Sequence, residues 1–169
     1  MTIMSYQGSF LPPGQLPSVE SIEQDLTSVI WNRLEHQLIG SHSLISGAAR
    51  DTGNTGYTDV LRPGLLLTKD VASGNGDKFL AWGDDTDFAT DLIEGIMLMA
   101  QRVTRFGNNQ DRWLGYVLLG GNVKINGLIV PGETNAGIVG HAQETNIRTQ
   151  LKFACRFDDD PFAHKATDS

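Results

Sequence analysis

Residues 62–100 constrain the fold more than any other stretch of the chain. They begin with a turn signal at residues 62–64, and two short apolar runs follow at residues 65–71 and 78–82, separated by the glycine-rich turn 73–76. This order is typical of a β-hairpin. After a polar, acidic loop, residues 93–100 supply a third short apolar run. The stretch holds no nucleophile, base or set of metal ligands that catalysis would need, so it predicts a structural scaffold.

Length and composition fit one domain that carries an arm or a tail. The 169 residues are 40% hydrophobic and include 19 glycines, which is typical of a turn-rich globular protein. No apolar run approaches the roughly 20 residues of a membrane-spanning helix, so no membrane partner is expected. The first ten residues lack the basic and apolar regions of a secretory leader, so synthesis in a cytoplasm is expected.

Net charge and the single cysteine argue against two further classes of protein. Twenty acidic and 13 basic residues give a net charge of −7, and the basic residues are scattered, so nucleic acid is not an expected partner. Cys155 cannot form an internal disulfide bond. In the alternating run 152–157 it shares a strand face with Phe153 and Phe157, which predicts a buried thiol without reactivity.

Residues 1–17 form the first of four predicted segments, an extended arm. Residues 5–17 contain three prolines and two glycines, which prevent a regular helix. The arm is either a disordered terminus or a segment that orders along the sheet edge of another protein. Phe10 and Leu11 are the expected anchors of such a segment.

The second segment, residues 18–40, has the spacing of a helix. Apolar residues recur every three or four positions, Ser21 and Gln24 match a capping box, and Gly40 lies where a helix terminator is expected. These features predict an amphipathic helix, although residues 27–31 have a strand propensity that could override it. The helix could pack on its own domain or on a neighbouring subunit.

The third segment, residues 41–157, consists of short strands and turns, and the fourth, residues 158–169, is a solvated acidic tail. A weak strand at residues 44–46 and a turn-rich loop at residues 51–56 precede the hairpin. The predicted fold class is mainly β, a compact antiparallel sandwich or barrel-like domain with one or two short helices and an extended N-terminal arm.

Glycine-rich turns divide the second half of this domain. Gly107-Asn108-Asn109 is expected to precede a strand at residues 113–119, and Gly120-Gly121-Asn122 is expected to be the hairpin turn that leads to a strand at residues 123–130. In that last strand the residues expected on one face are Val123, Ile125 and Ile129. A short helix around residues 142–151 then precedes the strand that contains Cys155.

The candidate chemical sites fail the patterns that would define them. The densest acidic cluster consists of Asp84, Asp85, Asp87, Asp91 and Glu94. Counted from Asp85, the sixth position of a calcium loop is Thr90 instead of glycine, so a solvated loop or a site formed between subunits is expected. Four histidines are too few and too irregular for a zinc site with Cys155. No catalytic residue, metal or cofactor is predicted.

A family resemblance rests on residues 62–100. The run Arg62-Pro63-Gly64-Leu65-Leu66-Leu67, then Lys78-Phe79-Leu80-Ala81-Trp82, an acidic spacer, and Gly95-Ile96-Met97-Leu98 resembles the head decoration proteins of lambda-type tailed bacteriophages. The likeness extends over roughly residues 62–157. The helix at residues 18–40 and the acidic tail depart from the pattern, because small members of that family begin their β domain sooner.

The resemblance implies a function without catalysis. It implies a homotrimer on the outer surface of the virion, at the threefold and quasi-threefold axes of the expanded head, where it stabilises the shell. It also implies an N-terminal arm that is loose in the free protein and orders by strand addition to the major capsid protein. The candidate capsid-binding residues are then Tyr6, Phe10, Leu11, Pro12, Pro13 and Leu16.

Two other classes stay open at the level of sequence. One is another virion-associated β protein, such as a receptor- or carbohydrate-binding module of the tail or head, which needs exposed aromatic residues. Trp31, Trp82 and Trp113 lie in predicted regular elements, which argues against it. The other is a small enzyme whose site is completed between subunits.

Overall fold

A computed structural model describes residues 28–30, 43–69, 78–83, 91–113 and 117–159, and the backbone alone of residues 38–40 and 114. Within this described part of the chain, helix α1 spans Glu144–Leu151, and a short 3-10 helix spans Ile125–Gly127. The strands are β1 (Leu38–Gly40), β2 (Ser43–Ile45), β3 (Val60–Leu61), β4 (Leu66–Lys69), β5 (Lys78–Ala81), β6 (Gly95–Met97), β7 (Gln101–Arg102), β8 (Thr104–Arg105), β9 (Asn108–Asn109), β10 (Arg112–Leu114), β11 (Val117–Val123) and β12 (Cys155–Phe157).

The predicted mainly β fold class is confirmed. Seven strands follow one another in the order β1-β11-β6-β4-β5-β2-β10, and β12 joins the same sheet through β11. Most neighbours are antiparallel, whereas β2 with β5 and β11 with β12 are parallel pairs. The pairs β3–β7 and β8–β9 form two small sheets of their own. Among the residues that the structure describes, no helix is long and apolar enough to cross a membrane.

The predicted hairpin and third apolar run lie side by side at the centre of the sheet. Strands β4 and β5 pair antiparallel with Leu67 opposite Ala81, and β6 pairs with the other edge of β4. The signal at residues 62–64 is a turn in which Gly64 has a φ of +87° and donates its N–H to the Met97 carbonyl, at 2.7 Å. The second turn, at residues 73–76, falls outside the described residues.

The apolar runs are continuous because the central strands are buried on both faces. Leu66 belongs to one hydrophobic cluster, together with residues of α1 and β12, while its neighbours Leu65 and Leu67 belong to a second cluster on the opposite face. Ile96 and Met97 divide between the two clusters in the same way. A strand that is buried on both faces needs apolar side chains at every position, which explains the run of leucines.

Two predictions about residues 120–130 are wrong. Gly120 and Gly121 lie inside β11, the longest of the described strands, and do not form a hairpin turn. A Cβ on Gly120 would lie 2.8 Å from the carbonyl oxygen of Ala154, and Gly121 has a φ of +136°, so close backbone approach and local conformation account for the glycines. The expected strand at 123–130 is a 3-10 helix over Ile125–Gly127 and an irregular segment whose Ile129 bridges Leu65.

The turn predicted at residues 107–109 is displaced. Phe106 and Gly107 form the turn, whereas Asn108 and Asn109 are strand β9, which pairs with β8. The strand expected at residues 113–119 is also divided, because β10 pairs with β2 while β11 pairs with β1 and β6.

The predicted helix at residues 18–40 does not reach its expected end. Leu38–Gly40 is strand β1, which pairs antiparallel with β11, so sheet pairing overrides the helical spacing there. Ser28 and Val29 have helical backbone, and Ile30 makes an isolated bridge to Val123. Residues 18–27 and 31–37 lie outside the described residues.

The C-terminal part of the domain matches the prediction except at one residue. Helix α1 lies within the expected range, and Cys155 and Phe157 are buried on one face of β12 while Arg156 points outward. Phe153, expected on that buried face, is 91% exposed, because residues 152–154 are a turn and the strand begins only at Cys155. Of the predicted acidic tail, Asp158 and Asp159 are described, and residues 160–169 are not.

Candidate functional site

Residues 28–30, which we call the anchor segment, are the first described residues of the chain and lie C-terminal to the predicted arm in sequence. The arm residues themselves, Tyr6, Phe10, Leu11, Pro12, Pro13 and Leu16, lie outside the described residues. In the anchor segment Val29 is fully buried, and its carbonyl accepts a hydrogen bond from the Lys124 N–H at 2.7 Å. Ile30 is 6% exposed and lies in the same hydrophobic cluster.

Gly127 makes the anchor segment possible. A Cβ on this residue would overlap the carbonyl oxygen of Ser28, so only glycine lets the 3-10 helix approach the anchor segment this closely. A Cβ on Gly64 would in turn overlap the carbonyl oxygen of Gly127. The predicted turn at residues 62–64, the 3-10 helix and the anchor segment are therefore stacked backbone against backbone.

A groove of about 760 Å³ crosses the sheet beside the C-terminal end of α1. Strands β2, β5, β6, β10 and β11 all contribute to its lining, and Ala154 and Cys155 line it as well. Its walls are mainly apolar, and the charged residues in its lining are Lys69 and Glu94. Glu94 accepts a hydrogen bond from the Lys69 N–H at 3.1 Å, which fixes its carboxylate at that edge of the groove. Sequence patterns gave no signal for this groove, because it depends on which strands become neighbours.

Trp113 stands at the groove and is exposed. It lies in β10, as a regular element was predicted there, yet it is 71% exposed and lines the groove. Trp82 is fully buried, with its indole N–H donated to the Asp91 carbonyl at 3.1 Å. Trp31 lies outside the described residues. The argument against an exposed aromatic platform therefore holds for Trp82 and fails for Trp113.

Large apolar side chains, Trp113 among them, are exposed at several places on the surface. The residues of this kind in the described part of the chain are Tyr57, Leu92, Phe106, Trp113, Val139 and Phe153. Phe106 and Phe153 are the most exposed, at 83% and 91%. Single exposed apolar residues are common on proteins. Phe106 differs because it also has a positive φ of 51°, which is rare for a bulky residue.

The candidate chemical residues do not converge in the described part of the chain. Asp84, Asp85 and Asp87 of the acidic cluster fall outside it, and no group of three potential metal ligands occurs within it. His141 contacts Glu133 through Nε2 and Oε1 at 3.4 Å on the surface, while His36, His42 and His164 are outside the described residues. Burial raises the pKa of the Cys155 thiol to about 11, which opposes formation of the reactive thiolate.

No protein-family model matches the chain, and no curated protein and no solved structure matches it either. The likeness to phage head decoration proteins thus stays a prediction from the residues that carry it.

Proposed function

We propose that this chain is a phage capsid decoration protein, which binds the outside of the expanded head as a homotrimer and stabilises the shell. The resemblance over residues 62–157 motivates the proposal, and the mainly β domain is compatible with it. The anchor segment is the observation that supports it, because the chain is held in the core of the domain at a point C-terminal to the proposed arm.

The anchor segment gives the arm a mechanical function. An arm that binds the major capsid protein can hold the domain on the shell only if tension on the arm is transmitted to the core. Val29 is fully buried, and its backbone is hydrogen-bonded to Lys124, directly after β11. In the sequence, residues 18–28 lie between Pro17, the end of the proposed arm, and Val29.

Stabilisation of the shell then follows from linkage. A protein that binds the expanded lattice and not its precursor stabilises the expanded state by mass action. Three arms on one trimer add avidity, because the second and third contacts form within a complex that already exists. Many individually weak apolar contacts thereby give a long-lived attachment.

Deletion of residues 1–17 tests this proposal. The shortened chain keeps the anchor segment, so we expect the fold and the oligomer of the full chain, with loss of binding to expanded, undecorated heads measured by co-sedimentation. Phe10→Ser combined with Leu11→Ser should give the same loss. Ser9→Ala combined with Gln15→Ala is the matched control, since it alters the arm without removing apolar side chains, and it should bind normally. Saturation of heads by the shortened chain would refute the proposal.

A second candidate is a carbohydrate- or receptor-binding module, and Trp113 is the observation that favours it. An exposed indole beside a groove offers a face on which a sugar ring can stack, and Glu94 offers a hydrogen-bond acceptor in the same groove. Three results together would favour this candidate over the first. They are binding of the wild-type protein to an immobilised glycan panel, loss of that binding in Trp113→Ala, and no binding of either protein to heads.

A further inference from the structure

The β8–β9 hairpin has a tip whose sequence does not suit its backbone. Arg105 pairs with Asn108, which leaves a two-residue loop of Phe106 and Gly107. Both loop residues have positive φ, at 51° and 77°. Positive φ at both central positions is the requirement of a type I′ turn, which strongly favours Asn or Gly at the first position. Phenylalanine at that position is strained.

Nothing within the described part of the subunit offsets this strain. The Phe106 side chain is 83% exposed, and its ring contacts the guanidinium of the neighbouring Arg105, with 5.2 Å between the guanidinium carbon and the ring centroid. A cation–π contact between exposed groups contributes little. A residue that breaks the local rule without a gain in its own fold is typical of a functional contact.

The base of this hairpin is firmly held, so its tip is presented in one orientation. Val103 is fully buried and donates its N–H to the Asp59 carbonyl at 2.9 Å, and the Thr104 hydroxyl is hydrogen-bonded to the Asp59 carboxylate. On the other strand, Arg50 donates to the Asn109 side chain at 2.5 Å. A pre-positioned tip loses less conformational freedom when it binds.

A complementary surface lies on the same chain. The groove beside α1 has apolar walls, which include Leu44, Ile96 and Leu118, and it presents the Glu94 carboxylate. Its volume of about 760 Å³ is ample for an aromatic side chain. Arg105 neighbours Phe106 at the tip and is opposite in charge to Glu94, which lines the groove together with Lys69.

We infer that the Phe106 tip of one subunit inserts into the groove of a second copy of this chain, where Phe106 packs on the apolar walls and Arg105 approaches Glu94. The two surfaces differ, so the contact is heterologous, and such contacts close into a ring when the rotation permits. The inference rests on the homotrimer of the proposed function and names its subunit contact.

Phe106→Asn tests the tip. Asparagine fits the turn better, so the variant should unfold at a higher temperature than the wild-type subunit under conditions where both are monomeric. It should also weaken self-association about tenfold to hundredfold, as expected for loss of a buried phenylalanine side chain, measured by sedimentation equilibrium. Tyr57→Asn is the matched control, because it removes an exposed aromatic residue from a different turn, and it should associate like the wild type.

Ala154→Arg tests the groove. Ala154 is exposed and lines the groove, so the arginine should be tolerated by the fold while it obstructs the groove and repels Arg105. The variant alone should be monomeric. Mixed with Phe106→Asn, it should form a dimer with one copy of each chain, because one intact tip and one intact groove remain in the mixture.

The outcomes separate this inference from the proposed function. If Phe106→Asn and Ala154→Arg both associate like the wild type, or if their mixture stays monomeric, the inference is wrong. Head binding by the wild-type chain is measured independently and depends on residues 1–17. If heads bind the wild type and the shortened arm abolishes binding, the proposed function survives even when the subunit contact is wrong.

Discussion

The guanidinium of Arg62 and the carboxylate of Asp51 form a buried bidentate ion pair, with N–O distances of 2.5 and 2.8 Å. The side chains are 6% and 0% exposed. Arg62 also donates to the carbonyl oxygens of Glu133 and Thr134, each at 2.6 Å. One guanidinium therefore connects the loop at Asp51, the turn before β4 and the segment that follows the 3-10 helix.

We expect Arg62→Met to destabilise the domain by about 3–5 kcal/mol, because it leaves the Asp51 carboxylate buried without its partner. Urea unfolding followed by circular dichroism measures this loss. The control is Arg102→Met, which removes an exposed ion pair with Asp59 and should cost less than about 1 kcal/mol. The double variant Arg62→Met, Asp51→Leu should be less destabilised than the sum of the two single variants, and strict additivity would contradict this account.

Gly127→Ala should detach the anchor segment. The added Cβ overlaps the Ser28 carbonyl oxygen, so residues 28–30 must move and the buried contacts of Val29 are lost. We expect a loss of about 2–4 kcal/mol in unfolding free energy, the range for loss of a buried aliphatic side chain. Gly56→Ala is the control. Gly56 has a φ of +86° with open space around its Cβ position, so it should show only the conformational cost, about 1–2 kcal/mol.

Cys155 should behave as a buried thiol in both reactivity and pH dependence. Alkylation by iodoacetamide near pH 8 should be slow in the native protein and rapid in denaturant. Burial raises the pKa of the thiol from 9.0 to about 11 in the folded state. The unfolded chain therefore loses this proton first, and stability should fall as pH rises from about 9 to about 11. Cys155→Ala should lack that decline, and an equal decline in both proteins would contradict the assignment.

The ion pairs of Arg148 with Glu144 and Asp159 should make the stability of the fold sensitive to acid. A hydrogen bond from Arg148 lowers the pKa of Asp159 from its ordinary value of 3.8, and a backbone hydrogen bond from Gly140, followed by one from Arg148, lowers the pKa of Glu144. A lowered folded-state pKa stabilises the fold above the ordinary value, and the stabilisation disappears as pH falls below it. Asp159→Asn should reduce the loss of stability between about pH 5 and pH 3.

The size of this acid effect is small, since the Asp159 side chain is 42% exposed. We expect less than about 1 kcal/mol from that pair. Urea midpoints at a series of pH values measure it, with Arg156→Gln as a control that alters an exposed arginine of β12. An acid profile that is unchanged in Asp159→Asn would show that the pair does not contribute.

Sequence patterns predicted the strands whose signals are local. The hairpin at 65–82 is predictable because its turn signals and apolar runs are contiguous, and α1 because its apolar residues Ile147 and Leu151 lie four positions apart. The hairpin turn predicted at the glycines 120 and 121 is wrong because a turn glycine and a strand glycine cannot be told apart from the neighbouring sequence. What distinguishes them here is the carbonyl of Ala154, which is distant in sequence.

The candidate site was less predictable than the fold. The groove can be predicted only when the order of seven strands in the sheet is known, and no local pattern in the sequence contains that order. The strain at Phe106 can be recognised only when the turn is known to lie at 106–107 and not at 107–109. The dipeptide Phe-Gly between two polar strands could have indicated this strain, because a two-residue hairpin loop places the aromatic residue at a position of positive φ.

The burial of Val29 limits where the polypeptide can be cut or fused. Loss of Val29 opens an apolar hole in the core and removes the acceptor for the Lys124 N–H. Peptides grafted for display therefore belong ahead of Ser28. Chains that start after Val29 should be recovered as insoluble material.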